Sequence, residues 1–338
     1  MFGDGREHDE GSMKGLATVF GGSGFLGAQV VRTLVKRGHR LRVAVRRPGS
    51  AYRLPMLGDV GQIEIVQANI RDDASVARAL DGAEACVNAV AVLYESGRQT
   101  FEALHVEGAA RVASAARAAG ADRLVHISAL GADGQSASAY ARTKAAGEVA
   151  AQAAFPGTVV LRPSVIFGPG DAFFNRFASM TVTAPALPLI GGGQTRFQPV
   201  FVGDVAQAVG AALEDPAAPG LTYELGGPAI YSFETLMRLM LAVIERRRAL
   251  VGVSFSAANR LGKLGDVLAK TGLIAPPITS DQVELLRTDN IVSEGARGLT
   301  ELGVTATPLE SVIPSYLYRF RKGGQYAEAL DAAAPALL

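Results

Sequence analysis

Short apolar stretches alternate with amphipathic stretches along the first half of the chain. The apolar stretches predict strands over residues 16–20, 40–45, 63–67, 85–90 and 123–127, and the spacing between them predicts helices over 28–36, 75–80 and 101–119. Strands that alternate with helices at this interval require crossovers of one hand and a parallel sheet. We therefore predict an α/β fold with a Rossmann-type doubly wound parallel sheet.

The first predicted strand ends at a glycine-rich turn, Gly21-x-x-Gly24-x-x-Gly27, whose spacing is one residue looser at its start than the usual dinucleotide fingerprint. A turn that enters a helix directs free backbone N–H groups and the positive end of the helix dipole at one point, and a Cβ there would hold a pyrophosphate off the backbone. This pattern predicts a phosphate-binding turn. The alternative is that the glycines only let a helix pack closely on a sheet.

The second predicted strand ends in Arg46-Arg47-Pro48, about twenty residues after the turn. An acidic residue at this place would bind the ribose 2′-hydroxyl of NADH, whereas an arginine suits the 2′-phosphate of NADPH. No Asp or Glu occurs between Gly24 and Asp59, so the sequence favours NADPH. For one of the two arginines, a solvated side chain at a strand end is the alternative.

The following strands end in Asn69, in Asn88 and Ala89, and in Ser128. The carboxyl ends of parallel strands meet at one edge of the sheet, where such folds bind their ligands. These residues are therefore expected to line the ligand crevice. For Asn69, ordinary turn chemistry explains the residue equally well.

Three polar side chains in this region suit hydride chemistry. Ser138 is predicted to cap the next helix, on which Tyr140 and Lys144 share a face because they lie four residues apart. A tyrosine must be partly ionised to exchange a proton at neutral pH, the Lys144 ammonium favours the phenolate, and the Ser128 hydroxyl can orient a carbonyl oxygen. Ser128, Tyr140 and Lys144 are thus the candidate catalytic residues. His126 is expected to face away from Ser128 and to be structural.

Composition limits the class of protein. The chain has 338 residues, 49% of them hydrophobic, which is enough for one large domain or two modest ones. Its 33 basic and 32 acidic residues give a net charge of +1, so nothing indicates nucleic-acid binding. Its single cysteine, Cys86, cannot form an internal disulfide, and the four histidines lack metal-ligand spacing. We expect a reducing compartment and no structural metal.

Two stretches bear on targeting. Acidic residues precede the first apolar stretch, which fits neither a secretory signal nor an organellar transit peptide and favours a bacterial cytoplasm; they are Asp4, Glu7, Asp9 and Glu10. The longest uncharged stretch, 177–195, contains two prolines and three consecutive glycines. It is predicted to be a loop-rich segment that does not span a membrane.

The second half of the chain is predicted to return to the sheet with a helix within 200–213 and a strand at 222–226. The predicted domains are a flexible tail over 1–13, a nucleotide-binding domain over 14–170 with returning segments near 198–228, a cap over 171–197 and 229–325, and a tail over 326–338. A cleft between domains is the usual ligand site.

A helix predicted over 255–270 has apolar and basic faces. Its apolar face is expected to contain Ala258, Leu261, Leu264, Val267 and Leu268, and its basic face contains Arg260, Lys263 and Lys270. Such a helix can lie on a membrane surface or against a partner protein. Burial within the cap is the alternative.

The motifs together resemble a known superfamily. The glycine turn, Ser128, Tyr140-x-x-x-Lys144 and Leu161-Arg162-Pro163 are similar to short-chain dehydrogenases/reductases of the extended or atypical branch. The blocks 19–27, 138–148, 162–168, 174–180, 198–205, 278–284 and 302–310 more closely resemble the nucleotide-binding accessory subunit of respiratory complex I. The resemblance runs from about residue 16 to about residue 322. Its C-terminal blocks are the specific part, because generic reductases share only the earlier motifs.

The resemblance implies a bound NADPH that stabilises the fold, next to the membrane arm of complex I and without known turnover. It implies that the three glycines bind the pyrophosphate, Arg46 the 2′-phosphate, and Tyr140 and Lys144 the nicotinamide ribose. The expected cofactor-binding residues are Gly21, Ser23, Gly24, Phe25, Leu26, Gly27, Arg46, Arg47, Asn69, Ile70, Ala89, Val90, Tyr140, Lys144, Pro163, Ser164 and Val165.

Two features depart from the reductase pattern. His105 occupies the place of the asparagine in the usual Asn-x-x-Gly helix motif, which weakens a proton-relay role there. The step of twelve residues from Ser128 to Tyr140 is shorter than in sugar-nucleotide epimerases and argues against a sugar-nucleotide substrate.

Two functions of different classes remain open, with a weaker third. The first is an accessory subunit that carries NADPH without turning it over, with other complex I subunits as partners. Its expected location is peripheral, at the cytoplasmic face of a bacterial inner membrane, with the matrix side of a mitochondrial inner membrane as the alternative. The second is a free-standing NADPH-dependent reductase of a small carbonyl compound. The third is a sensor of the NADPH/NADP⁺ ratio. The candidate catalytic residues do not decide, because the same groups also bind the nicotinamide ribose. The C-terminal blocks favour the subunit.

Overall fold

A seven-stranded parallel sheet organises the chain in a computed structural model that describes residues 14–271 and 276–324. The strands of this sheet are β1 (Lys14–Phe20), β2 (His39–Val45), β3 (Ile63–Gln67), β4 (Ala85–Asn88), β5 (Arg123–Ile127), β6 (Val159–Pro163) and β11 (Thr222–Leu225). Their spatial order is β11-β6-β5-β4-β1-β2-β3, with every neighbouring pair parallel. The prediction of a doubly wound α/β fold is confirmed. The predicted tails, 1–13 and 326–338, lie outside the described residues.

Helices cover both faces of this sheet. They are α1 (Phe25–Lys36), α2 (Asp73–Leu80), α3 (Glu107–Ala118), α4 (Ala139–Ala154) and α6 (Val202–Glu214). One hydrophobic cluster joins α1 and α6 to the sheet through residues such as Val31 and Val209, and another joins α2 and α3 through Leu80 and Val112. The strand over 222–226 does return to the sheet, where β11 extends it beyond β6.

Two helices begin at residues other than those predicted from the sequence. α1 begins at Phe25, three residues before the predicted start, because Gly24 in extended conformation already serves as its N-cap. The helix predicted over 101–119 opens with a π-helical turn, Glu102–Val106, before α3. An extra residue in such a turn changes which side chains face inward, and π-turns are frequent at functional sites.

The expectation that 177–195 is loop-rich is wrong. This stretch contains most of α5 (Phe174–Thr183) and all of β8 (Ala186–Ile190), and only Gly191–Gly193 form an irregular turn. Pro188 is tolerated in β8 because this strand pairs with β13 (Ala249–Val253) in a two-stranded sheet and has a free edge. Within the described ranges, no helix is long and apolar enough to cross a membrane.

The other elements pack over the carboxyl edge of the large sheet. They are the short strands β7 (Ile166–Phe167), β9 (Arg196–Phe197), β10 (Val200–Phe201) and β12 (Tyr231–Ser232), and the helices α7 (Phe233–Val243), α8 (Phe255–Thr271), α9 (Ser280–Leu285), α10 (Leu309–Val312) and α11 (Pro314–Leu317). Most of them share a core that is rich in aromatic residues, among them Phe174, Phe233 and Tyr316. The buried residues Ala258 of α8 and Val283 of α9 belong to a smaller, separate cluster. The buried carboxylate of Asp171 accepts the Tyr316 hydroxyl at 2.5 Å and so fastens α11 to the loop before α5.

Cys86 lies in β4 with no exposed surface, within the cluster under α2 and α3. Burial raises the pKa of its thiol well above the ordinary value.

Candidate functional site

The glycine turn is built for close approach to the backbone. Gly21 has a φ of +80°, and a Cβ on Gly27 would lie 2.1 Å from the Gly21 carbonyl oxygen. Gly24 is exposed, it caps α1 without a side chain, and the first turn of α1 contains no acidic residue. The N–H groups at this helix start are therefore free of a competing carboxylate and suit a phosphate. Phe25 and Leu26 form the same first turn.

A cleft of about 190 Å³ opens beside this turn at the carboxyl ends of β1 to β4. Of the predicted cofactor-binding residues, it is lined by Gly21, Ser23, Gly24, Arg46, Ile70, Ala89 and Val90. It is also lined by Phe20, Ala44, Val45, Ala68, Ala91, Val92, Gln99 and Leu104, which we did not predict. Phe20, Ala44 and Val45 lie at the ends of predicted strands, and Ala68, Ala91 and Val92 follow such ends by one or two residues, so the strand pattern contained that signal. Gln99, in a loop, and Leu104, in the π-helical turn, had no such signal.

Arg46 is exposed at the mouth of the cleft, where its guanidinium donates to the side-chain oxygen of Gln99. Arg47 is also exposed, and its carbonyl accepts the Ser50 hydroxyl at 2.7 Å. That hydroxyl lies 3.2 Å from the Ser23 hydroxyl of the glycine turn. The Arg46 guanidinium and the Ser23 hydroxyl therefore both line the cleft, and these two donors suit a phosphate monoester.

The Asn69 side chain serves its own turn. Its Oδ1 accepts the backbone N–H of Arg71 at 3.2 Å, and its backbone N–H donates to Ser75 Oγ at 2.9 Å. This is the turn chemistry that the sequence left as the alternative. Ile70, the next residue, is buried and lines the cleft.

Tyr140 and Lys144 occupy consecutive turns of α4, and Ser138 caps this helix as predicted. The Lys144 ammonium is buried and donates to the Ile127 carbonyl at 2.7 Å, and burial lowers the pKa of Lys144 to about 8. Among the described residues, the Tyr140 hydroxyl has no hydrogen-bond partner. Burial, followed by the negative charge of Asp281, raises the pKa of Tyr140 to about 12. The pKa of Tyr140 is thus raised in this arrangement, although we expect the Lys144 ammonium to lower it.

The Ser128 hydroxyl is already in use. It is buried and donates to a carboxylate oxygen of Glu148, the residue one turn beyond Lys144 on α4. The Glu148 carboxylate also accepts hydrogen bonds from two guanidinium nitrogens of Arg162, the shorter of them at 2.6 Å. A hydroxyl has one proton, so Ser128 cannot donate to a carbonyl oxygen while it donates to Glu148. The sequence missed Glu148 because its position on α4 does not reveal which strand residue it meets.

His105 is a fixed, neutral histidine. Its Nε2 accepts the Val92 N–H at 3.2 Å, so this nitrogen has no proton, and its protonated Nδ1 lies 3.2 Å from the Thr143 hydroxyl. Its ring stacks on Phe101 and meets the edge of Tyr140, at centroid distances of 5.2 and 5.4 Å. Burial, and then the charge of Lys144, lower the pKa of His105 to about 3.

The prediction that His126 faces away from Ser128 is wrong. Both residues lie on the side of the sheet that α4 covers, since residues two apart in a strand share a face. Burial, and next the charge of Lys144, hold the pKa of His126 well below its usual range. Its Nδ1 lies 3.3 Å from the Asn88 amide nitrogen, and its Nε2 has no partner among the described residues.

Asp281 was not singled out by the sequence, although it lies in the block 278–284. One of its carboxylate oxygens accepts the Ala139 N–H at 2.6 Å, and the other accepts the Ser138 hydroxyl at 2.9 Å and the Tyr140 N–H at 3.2 Å. A carboxylate at the start of a helix satisfies free N–H groups and interacts favourably with the helix dipole. A residue of the C-terminal part thus stabilises the first turn of α4.

The segment Pro163-Ser164-Val165 is fastened in a similar way. The Asn290 side-chain oxygen accepts the Ser164 hydroxyl at 2.7 Å and the Val165 N–H at 3.2 Å. The Asn290 amide nitrogen donates to the Leu130 carbonyl at 3.3 Å. Pro163 accepts the Leu130 N–H at 2.9 Å. The structure therefore brings the predicted residues into two groups, one around the cleft and one around α4, and Asp281 and Asn290 hold the second group.

The residues around the cleft suit one class of ligand. The glycine cradle, the exposed arginines and the strand ends fit a phosphorylated dinucleotide, because the positions nearest the backbone bear no side chain. In the part of the chain that the structure describes, no three His, Cys, Asp or Glu side chains are grouped so that they could bind a metal ion.

Acidification is expected to destabilise the protein through His105. Its pKa of about 3 in the fold lies below the ordinary 6.5, so the unfolded chain binds more protons between these values. The free energy of unfolding should therefore fall as the pH decreases from 6.5, by up to about 1.4 kcal/mol per pH unit for this histidine. Urea titrations at several pH values measure how the free energy of unfolding depends on pH, and this dependence should be weaker in His105→Asn than in the unaltered protein. An unchanged pH dependence in that variant would contradict a neutral, buried His105.

Comparison with known proteins places the chain in a family. A model of the NAD dependent epimerase/dehydratase family matches residues 17–226. The mitochondrial NADH dehydrogenase (ubiquinone) 1 alpha subcomplex subunit 9 of Arabidopsis thaliana is 34% identical over 316 residues, covering 91% of this chain and 79% of that protein. The mouse protein of the same name is 31% identical over 323 residues, covering 95% and 84%.

The crystal structure of Citrobacter sp. triphenylmethane reductase complexed with NADP(H) superposes with a TM-score of 0.68, covers 89% of this chain and 99% of its own, and is 19% identical. This likeness shows the fold alone. The family match covers more than half of the chain, and the alignments with the two mitochondrial subunits continue past residue 226, where that match ends. The chain therefore belongs to the NAD dependent epimerase/dehydratase family, and within it to the same family as the mitochondrial alpha subcomplex subunit 9.

Proposed function

We propose that this protein is an accessory subunit of respiratory complex I that binds NADPH and uses it to stabilise its fold and its assembly. The observation that carries this proposal is the similarity to complex I subunits along nearly the whole chain, including its C-terminal part. In this protein the C-terminal part is fastened over α4 by Asp281 and over the end of β6 by Asn290. The matched C-terminal region thus contacts the elements that carry the candidate cofactor-binding residues.

The geometry around α4 supports binding without turnover. The Ser128 hydroxyl is committed to Glu148, and the residues after it, Ala129 and Leu130, have no polar side chain. The pKa of Tyr140 is raised to about 12, which disfavours the ionised form that proton exchange with a carbonyl compound requires. The same Tyr140 and Lys144 remain suited to bind a ribose. The family also contains enzymes by its description, so the second candidate function is a free-standing NADPH-dependent reductase that uses Ser128, Tyr140 and Lys144.

NADPH rather than NADH is favoured by the charge at the cleft. Arg46 and Arg47 follow β2, and no carboxylate between Gly24 and Asp59 is available for a ribose 2′-hydroxyl. The Ser23 hydroxyl at the same rim adds one donor for the 2′-phosphate, because in its contact with Ser50 it is the acceptor.

Replacement of Arg46 by alanine should weaken NADPH binding by about tenfold or more and leave NADH binding nearly unchanged, because only NADPH places a 2′-phosphate there. Isothermal titration of both nucleotides measures the effect. Arg40→Ala is the matched control, because Arg40 is an exposed arginine near the other end of the same strand. Equal losses of NADH and NADPH affinity would contradict the assignment of Arg46.

We further propose that α8 contacts the membrane surface, with other complex I subunits as the protein's partners. The structure separates the residues expected on one face: Ala258 is buried, whereas Leu261, Leu264 and Val267 are 58, 65 and 63% exposed. The buried face consists of small residues, and a Cβ on Gly265 would lie 1.8 Å from the Ile278 carbonyl oxygen. Because small residues make the inner contact, the large apolar residues are left outside, next to exposed Arg260, Lys263 and Lys270.

The double substitution Leu261→Ser with Leu264→Ser should reduce co-sedimentation with vesicles that contain anionic lipid, while the melting temperature changes little because both side chains are exposed. Met56→Ser with Val149→Ser is the control, since these residues are equally exposed on other elements. Undiminished vesicle binding would exclude membrane contact through α8.

The location is proposed to be peripheral to the membrane that holds complex I. The relatives named above are mitochondrial proteins by their names. The finer location, the cytoplasmic face of a bacterial inner membrane, stays a prediction.

Gentle solubilisation of native membranes and isolation of complex I tests the proposal as a whole. This chain is expected to co-purify with the complex, and Tyr140→Phe is expected to leave that assembly intact because ribose binding retains Lys144. If the chain is recovered only as a free protein that oxidises NADPH with a carbonyl compound, and Tyr140→Phe abolishes that activity, the reductase is the correct function.

A further inference from the structure

The two groups of candidate cofactor-binding residues are held by different parts of the chain. Around the glycine turn, Ser23 meets Ser50 and Arg46 meets Gln99, so these contacts come from the first part of the chain. Around α4 and the end of β6, the contacts come from residues 279–290, which we call the C-terminal clamp. Only the second group therefore depends on a distant segment.

Three side chains of the clamp bond to α4, to the end of β6 and to the loop after the cleft. Asp281 accepts N–H groups of the first turn of α4, and Asn290 bonds to Ser164 and Val165. Between them, Gln282 donates to the Leu93 carbonyl at 3.3 Å, in the loop that follows the cleft-lining residues. In the described chain, no hydrogen bond joins the clamp to the residues of the glycine turn or to Arg46.

The clamp is also joined to α8. The Ser280 N–H donates to the Asp266 carboxylate at 3.1 Å, and the Ser280 hydroxyl donates to its other oxygen. Gly262 approaches Ser280 so closely that a Cβ on it would lie 2.7 Å from the Ser280 backbone. Asp281 therefore connects α4 to a residue that is fixed on α8.

We propose that Asp281 is a positioning residue that couples binding of the nicotinamide half of NADPH to the conformation of the clamp and α8. This inference rests on the proposed function, in which Tyr140 and Lys144 bind the nicotinamide ribose. Without the carboxylate, the Ala139 and Tyr140 N–H groups lose their partner, and the first turn of α4, which carries Tyr140, is held less firmly. A ligand that fixes Tyr140 must then stabilise the clamp, and by linkage a partner that fixes α8 must strengthen binding of that ligand.

The adenosine half of the cofactor should lack this coupling. The compound 2′,5′-ADP contains the adenosine and the 2′-phosphate but no nicotinamide ribose, so it is a matched probe for the first group of residues alone. Hydrogen exchange of the full-length protein, measured with saturating NADPH or with saturating 2′,5′-ADP, separates the two halves. Both ligands should slow exchange at the glycine turn, and only NADPH should slow exchange in residues 279–290 and in α8.

The substitution Asp281→Asn tests the carboxylate itself. It should weaken NADPH binding by about tenfold, as expected for loss of a charge-assisted hydrogen bond, and leave 2′,5′-ADP binding unchanged. Asp281→Glu should restore part of the affinity. Asp289→Asn is the control, because Asp289 lies in the same clamp and bonds to Arg196 rather than to α4. It should change neither affinity.

The outcomes are distinguishable. Equal protection of α8 by both ligands, or equal loss of both affinities in Asp281→Asn, would overturn the coupling while leaving NADPH binding in place. Failure of both ligands to protect the glycine turn would remove the proposed function and this inference with it. If Asp281→Asn does not fold, the comparison of the two ligands on the unaltered protein decides.

Discussion

The close approach of α4 to the π-helical turn before α3 is the constraint on which the candidate site depends. A Cβ on Gly147 would lie 2.0 Å from the His105 carbonyl oxygen, so the two elements can meet only where α4 has no side chain. This contact places α4 so that Lys144 reaches the Ile127 carbonyl, Glu148 reaches Ser128, and Tyr140 meets the His105 ring. An interior packed at this density allows no compensating shift of half a turn.

That placement gives Lys144, Glu148 and His105 defined partners. Lys144 is charged beside a carbonyl oxygen, Glu148 is paired with Arg162, and His105 is neutral with both nitrogens bonded. Buried groups that are bonded in this way stabilise one arrangement of the site, because any displacement leaves a donor or acceptor without a partner. Each of these groups can therefore move only if it gives up a bond that it makes in the described structure.

Local patterns predicted the sheet well. The strands and the Ser138 cap follow from apolar spacing and from capping chemistry, which act over a few residues. The glycine turn and the arginine after β2 were also found, because their spacing relative to a strand end is short. Long-range features were missed: the partner of Ser128 lies on another element, and Asp281 reaches α4 from more than a hundred residues away. Patterns along the chain do not encode such pairings.

The π-helical turn and strand β8 were also missed, because both depend on structure that the local sequence pattern does not encode. The π-helical turn shifts the inward-facing residues in a way that no periodicity announces, and β8 tolerates Pro188 because its edge is free. The burial of small residues in α8 reverses the usual expectation that the largest apolar side chains face inward. Which face of an amphipathic helix is buried is decided by the shape of the surface that it meets.

The burial of Cys86 bears on the protein's behaviour under oxidative stress. The thiolate is the form that oxidants attack, and here the only sulfhydryl group of the chain is both shielded by the sheet and kept protonated. Met56, with 79% of its surface exposed, offers a far more accessible sulfur. Peroxide beside a respiratory enzyme would therefore produce a sulfoxide on the surface long before it produced a sulfenic acid inside, and a methionine sulfoxide reductase could reverse that damage without unfolding the molecule.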